Sequence, residues 1–178
     1  MQVLSEAAEE FLLALKMAPL NADLHGNLAE VLLAQDDFEG ASVHYQEYLK
    51  YRPDSAVALT NLGIAFAAMG QLDKAIHFFR LGLEVNPNNA IAHLELAKVL
   101  LRQQDFGGVA LHADQALRLK ARDPVAHNLI GVARASQGRL DEAMEHFRQA
   151  LAIDPNHVEA RNNLAAAQRM KRASNGLR

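Results

Sequence analysis

Histidine and carboxylate side chains are the residues of this sequence that could do chemistry. The 178-residue chain contains eight His and 21 Asp and Glu. Imidazole and carboxylate groups can hold a metal ion or move a proton, but both tasks require a defined spacing. The sequence has no HExxH pair, and because it has no Cys it can form neither a CxxC pair nor a thiolate zinc site. The histidines can therefore be interpreted only through the elements that carry them.

Other catalytic patterns are also missing from the sequence. Gly107–Gly108 is expected in a turn between helices and is not part of a Gly-rich phosphate loop, and no serine nucleophile elbow is present. Carboxylates such as Asp73, Glu84 and Asp141 are expected at helix starts and on exposed faces, where they cap and solubilise. The sequence thus predicts a protein that is not an enzyme, with no catalytic residue, no metal site and no cofactor.

Composition limits the class of partner. The formal net charge is −3 and the pI is about 6.2, so the chain has no general attraction for nucleic acid or an anionic membrane surface. No apolar run approaches the ~18 residues of a membrane span. Glu6, Glu9 and Glu10 occupy the region where a signal peptide would be basic and then apolar. A cytoplasmic protein is expected, unless the chain is a fragment of a larger one.

The chain repeats itself. Residues 62–87 and 130–155 are identical at eleven of 26 positions, and the offset between them is 68 residues, or two periods of 34. Contiguous 34-residue frames then cover 22–55, 56–89, 90–123 and 124–157. Each frame has two apolar stretches at helical spacing. The sequence therefore predicts two helices in each frame.

Equivalent positions of the frames carry similar residues. Position 7 is large and apolar, positions 8 and 20 are mostly small, position 24 is mostly aromatic, position 28 is Leu and position 32 is mostly Pro. In chain order these are Leu28, Leu62, Leu96 and Ile130; Ala29, Gly63, Ala97 and Gly131; Ala41, Ala75, Val109 and Ala143; Tyr45, Phe79, Ala113 and Phe147; Leu49, Leu83, Leu117 and Leu151; and Pro53, Pro87, Ala121 and Pro155. Small residues at positions 8 and 20 allow the two helices to approach closely.

Turn residues set the expected helix boundaries. Gly70 and Gly138 are placed to end the first helix in a left-handed conformation, and Asp73 and Asp141 follow three residues later as candidates to start the next helix. The Pro near the end of each frame prevents the second helix from continuing.

These positions together resemble the tetratricopeptide repeat (TPR), a 34-residue helix–turn–helix unit. The wording is closest to the NLG-type arrays found with O-linked GlcNAc transferases and in bacterial TPR proteins. The resemblance implies an all-α, right-handed superhelical solenoid of about ten helices, in one domain over 1–178. Its parts are a half repeat at 3–19, the four full repeats, a closing helix at 158–172 and a tail at 173–178 that is expected to be disordered.

The repeat frame gives the histidines a place. His25, His93 and His127 all fall at position 4, which in this family packs between the paired helices, and Leu59 stands there in the second repeat. A metal site is the alternative, but the ligands are not clustered in sequence. The frame therefore favours structural histidines.

The family resemblance also implies a binding surface. In such arrays the first helices line a concave groove, with positions 2, 5, 6, 9, 12 and 13 facing it. The candidate groove residues are Asn27, Val57, Thr60, Asn61, Ile64, Ile91, Leu94, Lys98, Leu101, Arg102, Val125, Asn128 and Val132. An exposed apolar stripe of this kind indicates a binding site, although curvature of the array could instead bury it.

Two family binding modes can be compared with position 6. Asn27, Asn61 and Asn163 resemble the asparagine ladder that holds a peptide backbone, but Glu95 and Leu129 interrupt it. The alternative is that these amides only bond a neighbouring helix. The carboxylate clamp for heat-shock chaperones needs basic residues where this chain has Gly26 and Ile91, so the sequence rejects the clamp.

Three functions remain open at this point. The first is a protein-interaction scaffold that binds a peptide or helical segment in its groove. The second is a regulatory or substrate-presenting array from a larger enzyme such as a glycosyltransferase. The third is self-association through the leading helix, whose Phe11, Leu12 and Leu15 have no preceding helix to cover them.

Overall fold

The computed structural model describes residues 2–176. Ten α-helices and no strand lie within these residues. In chain order they are α1 Gln2–Met17, α2 Ala22–Ala34, α3 Phe38–Tyr51, α4 Ala56–Ala68, α5 Leu72–Val85, α6 Ala90–Arg102, α7 Phe106–Leu119, α8 Pro124–Ser136, α9 Leu140–Ile153 and α10 Val158–Gly176. No helix in this range is long and apolar enough to cross a membrane. The all-α repeat architecture predicted from the sequence is confirmed.

The chain forms two compact units. The first ends at Pro87 and contains α1 to α5, and the second begins at Asn88 and contains α6 to α10. Within each unit, every helix packs on the next one along the chain, and the helices of a repeat form the most intimate pairs. Each helix pair buries one apolar face, and stacking further pairs extends the core.

The residues at position 7 form the centre of the core in both units. Leu28, Leu62, Leu96 and Ile130 are all fully buried. Position 20 is fully buried in all four repeats as well. Burying one such large aliphatic side chain stabilises a fold by roughly 1.5–3 kcal/mol, so these positions contribute strongly to packing within each repeat.

Close packing explains the glycines at position 8. A Cβ at Gly63 would lie 2.7 Å from the Phe79 ring, and one at Gly131 would lie 2.4 Å from the Phe147 ring. Both rings are buried, so neither can swing away into solvent. The second and fourth repeats therefore combine Gly at position 8 with Phe at position 24.

The turns inside the repeats alternate between two designs. Gly70 and Gly138 have φ of 75° in the second and fourth repeats, as the sequence predicted. In the first and third repeats the corresponding left-handed positions are taken by Asp36 and Gln104, with φ of 60° and 61°. A non-glycine residue in this region costs roughly 1–2 kcal/mol, so the first and third turns are the more strained ones.

The N-caps of the second helices follow the same alternation, and two of the predicted helix starts are wrong. In the first and third repeats, Asp37 and Asp105 are N-caps whose carboxylates accept from the amides of Gly40 and Gly108. Gly107–Gly108 thus lies in the first turn of α7, and not in the loop before it.

The N-caps of α5 and α9 were also wrongly placed. They are Gln71 and Arg139, and neither makes a side-chain capping bond. Asp73 and Asp141 lie inside the first turn, where a carboxylate favours the helix dipole without acting as the cap.

The two ends of the chain are closed differently. Helix α1 packs Ala8 and Leu15 against Leu28 of α2, with Phe11 beside this cluster. Helix α10 packs Leu164 and Ala167 against α9. It continues through Gly176, so residues 173–176 are helical where the sequence suggested a disordered tail, because no residue that stops a helix precedes Gly176. Residues 177–178 lie outside the described range.

Candidate functional site

A cavity of about 400 Å³ opens on α2 in the first unit. Its first wall consists of positions 2, 5, 6 and 9 of the repeat, which share one face of the helix because they are spaced three or four residues apart. The second wall comes from α3 and the start of α4. The lining residues are Asp23, Gly26, Asn27 and Glu30 from α2, Tyr45 and Tyr48 from α3, and Ser55, Val57 and Ala58.

Gly26 allows the wall of this cavity to form. A Cβ at Gly26 would lie 2.9 Å from Cδ2 and 3.1 Å from Cε2 of Tyr48. The Tyr48 ring therefore lies directly against the α2 backbone, closer than any other residue type would allow. Tyr48 remains only partly buried, so its ring is accessible from the cavity.

Tyr45 forms the deep end of the cavity. Its side chain is 2% exposed, and its hydroxyl accepts a 2.9 Å hydrogen bond from Nδ2 of Asn61. The pKa of Tyr45 is raised to about 12, mainly by burial and with a smaller contribution from the nearby charge of Glu30, while the Asn61 hydrogen bond opposes both effects. Tyr45 is therefore a neutral, fixed wall at physiological pH.

The charge at the mouth of the cavity is negative. Glu30 is exposed and makes no ion pair with any residue in the described range. Asp23 lies 3.7 Å from Arg52, and both side chains are well exposed, so solvent screens this pair. Two carboxylates and one peripheral guanidinium surround a space walled by two tyrosine rings.

A second, more open cavity of about 290 Å³ adjoins the first. It is lined by Phe11 of α1 and by Asn27, Glu30, Val31 and Ala34 of α2. Asn27 and Glu30 line both cavities, so they form the partition between a polar compartment and a mainly apolar one. Together these two cavities form what we call the α2 groove.

The sequence-predicted residues of the first unit have different environments. Asn27 and Val57 line the α2 groove, and Val57 is 61% exposed. Ile64 is partly buried. Asn61 is held by Tyr45, so its amide bonds the neighbouring helix α3. Thr60 is only 3% exposed and donates to the Ala56 carbonyl at 2.7 Å, so its side chain is not displayed at a surface.

The predicted residues of the second unit are also unequal. Ile91 is 61% exposed and Arg102 is exposed. Four apolar residues on the first helices are partly buried: Leu94, Leu101, Val125 and Val132. The fully exposed apolar surface is thus narrower than the sequence suggested.

The polar candidates of this unit are engaged with neighbours. The ammonium of Lys98 donates to Glu95 at 2.6 Å. Asn128 is 8% exposed and accepts from Nδ2 of Asn163 at 3.0 Å, joining α8 to α10. Of the position-6 amides, Asn61 therefore bonds to α3 in the first unit and Asn163 bonds to the position-5 amide of Asn128 in the second, while Asn27 remains exposed.

Three histidine pairs tie first helices to second helices within their repeats. The Nδ1 atoms lie 2.8 Å apart in His25–His44, 3.0 Å apart in His93–His112 and 3.2 Å apart in His127–His146. The partner is always 19 residues further on, at position 23 of the repeat. Leu59 and Phe78 occupy these two positions in the second repeat.

The hydrogen bonds define how the first pair carries its protons. Nε2 of His25 lies 3.1 Å from the Pro19 carbonyl oxygen, which can only accept, so Nε2 carries a proton. Neutral His25 therefore offers an unprotonated Nδ1, and Nδ1 of His44 donates to it. Each pair has room for one proton between its two rings.

The sequence reasoning missed several residues of these two features. The position-23 histidines escaped notice although the spacing of 19 recurs three times. Tyr48 was missed because the cavity depends on the approach of α3 to α2, which sequence does not specify. Glu30 was left out of the candidates although its position 9 is one of those expected to face the groove. Across the described residues, no three His, Asp or Glu side chains converge as a metal site would require.

Protein-family models match three segments of the chain. Models of the tetratricopeptide repeat match residues 4–56 and 56–89, and a model of the TPR repeat matches residues 133–171. The match at residues 56–89 has the same bounds as the second 34-residue frame.

A known protein is similar in sequence to most of this chain. Cellulose synthase operon protein C of Pseudomonas fluorescens is 33% identical over 141 residues, which is 78% of this chain but 11% of that protein. The chain thus spans about a tenth of this relative.

Solved structures share the fold. YrrB, described as a TPR protein with an unusual peptide-binding site, superposes with a TM-score of 0.78 at 24% identity, covering 93% of this chain and 85% of YrrB. The first TPR of Spaghetti, solved with an HSP90 peptide, gives a TM-score of 0.62 at 25% identity, covering 65% of this chain and 91% of that one.

Proposed function

Because this chain belongs to the tetratricopeptide repeat family, we propose that it is a non-catalytic protein-interaction scaffold that binds a peptide or helical segment of a partner on its first helices. The α2 groove is the observation that carries the proposal. It combines apolar surface, two tyrosine rings and a small set of polar groups, which is the usual composition of a recognition site.

The residues suited to ligand contact in the first unit are Asn27, Val57, Glu30 and Tyr48. The amide of Asn27 carries both donors and an acceptor and is exposed, so it can bond a peptide backbone. Val57 supplies an exposed apolar edge. In the second unit, Ile91, Leu94, Lys98, Leu101 and Arg102 are the corresponding proposed contacts on α6.

Selection of peptides on the immobilised chain tests this proposal. A phage-displayed library of random decapeptides is enriched on the wild type, and recovered peptides are measured by fluorescence anisotropy. We expect Val57→Lys to weaken binding at least tenfold because an ammonium on the apolar edge would be desolvated by the ligand. Val43→Lys is the matched control, since Val43 is also an exposed Val (52%) but does not line the groove.

Circular dichroism first establishes that both variants are as helical as the wild type. Equal loss of affinity in the two variants would contradict the assignment of the α2 groove. Failure of the wild type to enrich any peptide would contradict peptide binding itself.

Self-association is a second candidate, favoured by the outer face of α1 and the turn after it. Leu13, Met17 and Leu20 are 62%, 87% and 74% exposed. Such a cluster could bury itself against a second copy of the chain. Light scattering on a size-exclusion column at 200 µM, a concentration chosen to reveal weak association, is expected to show a dimer that Leu13→Lys converts to a monomer. A wild-type monomer at this concentration would contradict the proposal.

A further inference from the structure

From the geometry of the α2 groove we infer that its polar compartment binds an arginine side chain of the partner segment, with an apolar residue of the same segment in the adjoining compartment. This inference rests on the proposed function and names the chemistry of its ligand. It follows from the negative charge of the cavity, from the Tyr48 ring and from the partition between the two compartments.

Charge selects the sign of the ligand. Glu30 and Asp23 line the cavity, and among the residues that the structure describes no cationic side chain lines it. Arg52 reaches only Asp23, at 3.7 Å and from an exposed position, so the carboxylate of Glu30 remains available. An anionic ligand group here would meet two carboxylates, whereas a guanidinium would replace water as a partner of Glu30.

The tyrosine wall selects the shape of the ligand. Because Gly26 has no side chain, the Tyr48 ring lies against the α2 backbone. The ring is therefore held beside the face of α2 that carries Glu30. A planar guanidinium can stack on an aromatic ring and bond a carboxylate along its edge at the same time. Tyr45 stays neutral because burial raises its pKa to about 12, so it adds no third negative charge.

The partition between the two compartments determines which kind of residue should lie next to the arginine in the partner segment. Glu30 and Asn27 belong to both compartments, and beyond them Phe11, Val31 and Ala34 form an apolar lining. A segment whose arginine bonds Glu30 therefore places an adjacent residue over this lining. An apolar side chain there excludes water from the Glu30–guanidinium contact and strengthens it.

The peptides selected on the wild-type chain provide the test. We expect an arginine enriched at one position, with an apolar residue close to it. Replacing that arginine by citrulline, which has the same shape without the charge, should weaken binding about tenfold, as expected for loss of a charge-assisted hydrogen bond.

Variants of the chain locate the effect. Glu30→Gln should bind the arginine and citrulline peptides about equally, while Glu84→Gln, an exposed glutamate of α5 outside the groove, should discriminate between them like the wild type. Tyr48→Phe should retain the preference for arginine and Tyr48→Leu should reduce it, because only the ring stacks.

The possible outcomes separate the two proposals. Selected peptides without arginine, or a wild-type chain that binds citrulline as tightly as arginine, would overturn the arginine site and leave peptide binding intact. If Glu84→Gln abolished the preference as fully as Glu30→Gln, the site would lie elsewhere. If the wild type selected no peptide, the proposed function would fail together with this inference.

Discussion

Acid should destabilise this protein through its histidine pairs. In each pair the two Nδ1 atoms are 2.8–3.2 Å apart, which suits one N–H···N hydrogen bond and leaves no room for a proton on both nitrogens. A neutral pair can take up one more proton, on an outer nitrogen, but a second would place two N–H groups against each other. The unfolded chain has no such restriction.

The sign of the effect follows from proton counting. Burial lowers the pKa of His44, His127 and His146, and a neighbouring His lowers it further for His44 and His127. The folded state thus binds fewer protons than the unfolded state below pH ~6.5, and the free energy of unfolding falls as the pH falls. This stability is fully present above the unfolded pKa.

Nearby charges moderate the shift. Glu47 and Asp37 oppose it at His44, while Asp123 and Asp114 oppose it at His127. At His146, the opposing carboxylates are Asp114, Glu142 and Glu145, and Arg134 adds to the lowering.

The magnitude comes from the number of excluded protons. One proton withheld from a group of pKa ~6.5 costs at most about 1.4 kcal/mol at pH 5.5, so the two pairs that contain His44, His127 and His146 cost at most about 3 kcal/mol relative to neutral pH, and solvent screening at these partly exposed rings reduces this cost. Replacing the His127–His146 pair should recover at most about 1.4 kcal/mol.

The second repeat supplies the replacement. His127→Leu with His146→Phe copies Leu59 and Phe78 into the fourth repeat. Urea unfolding followed by circular dichroism at pH 7.5 and 5.5 should show a smaller loss of stability in this variant, whereas His77→Gln, an exposed histidine outside the pairs, should behave as the wild type. An unchanged loss in the double variant would refute the shared-proton argument.

Two substitutions test the packing and the caps. Gly131→Ala should lower the free energy of unfolding of the second unit by about 1–2 kcal/mol in urea, because the added Cβ meets the buried Phe147 ring and this overpacking exceeds the gain in helix propensity. Adding Phe147→Leu to this variant should make the Gly131→Ala change much less destabilising. Additive losses of stability from the two changes would contradict the contact. Gln71→Asp should stabilise the first unit by about 1 kcal/mol, because Gln71 is an N-cap without a side-chain bond, and no gain in the urea midpoint would show that the α5 amides are already satisfied.

The repeat register could be predicted because several independent signals agree. Position 7 had to be buried for helices to pack, and Gly70 and Gly138 marked positive φ. The first residues of α5 and α7 could not be predicted, since Asp is favoured both at an N-cap and in the first helical turn.

The candidate site was less predictable than the fold. Sequence spacing gives the face of α2 that carries Asn27 and Glu30, because helical geometry is fixed. It does not give the approach of Tyr48, which depends on Gly26 and on the packing of α3. Nor does it show that Thr60 turns its hydroxyl back to Ala56, a choice made by local hydrogen bonding.

The alternating turns mean that the building block of this chain is a doublet. Asp36 and Gln104 recur 68 residues apart, as do Gly70 and Gly138, and each type of turn keeps its own type of cap. Duplication of a single 34-residue segment would set two turns of one type in succession, whereas duplication of 68 residues would continue the existing order. Gene growth in this lineage, or lengthening of the array by design, should therefore proceed most smoothly two repeats at a time.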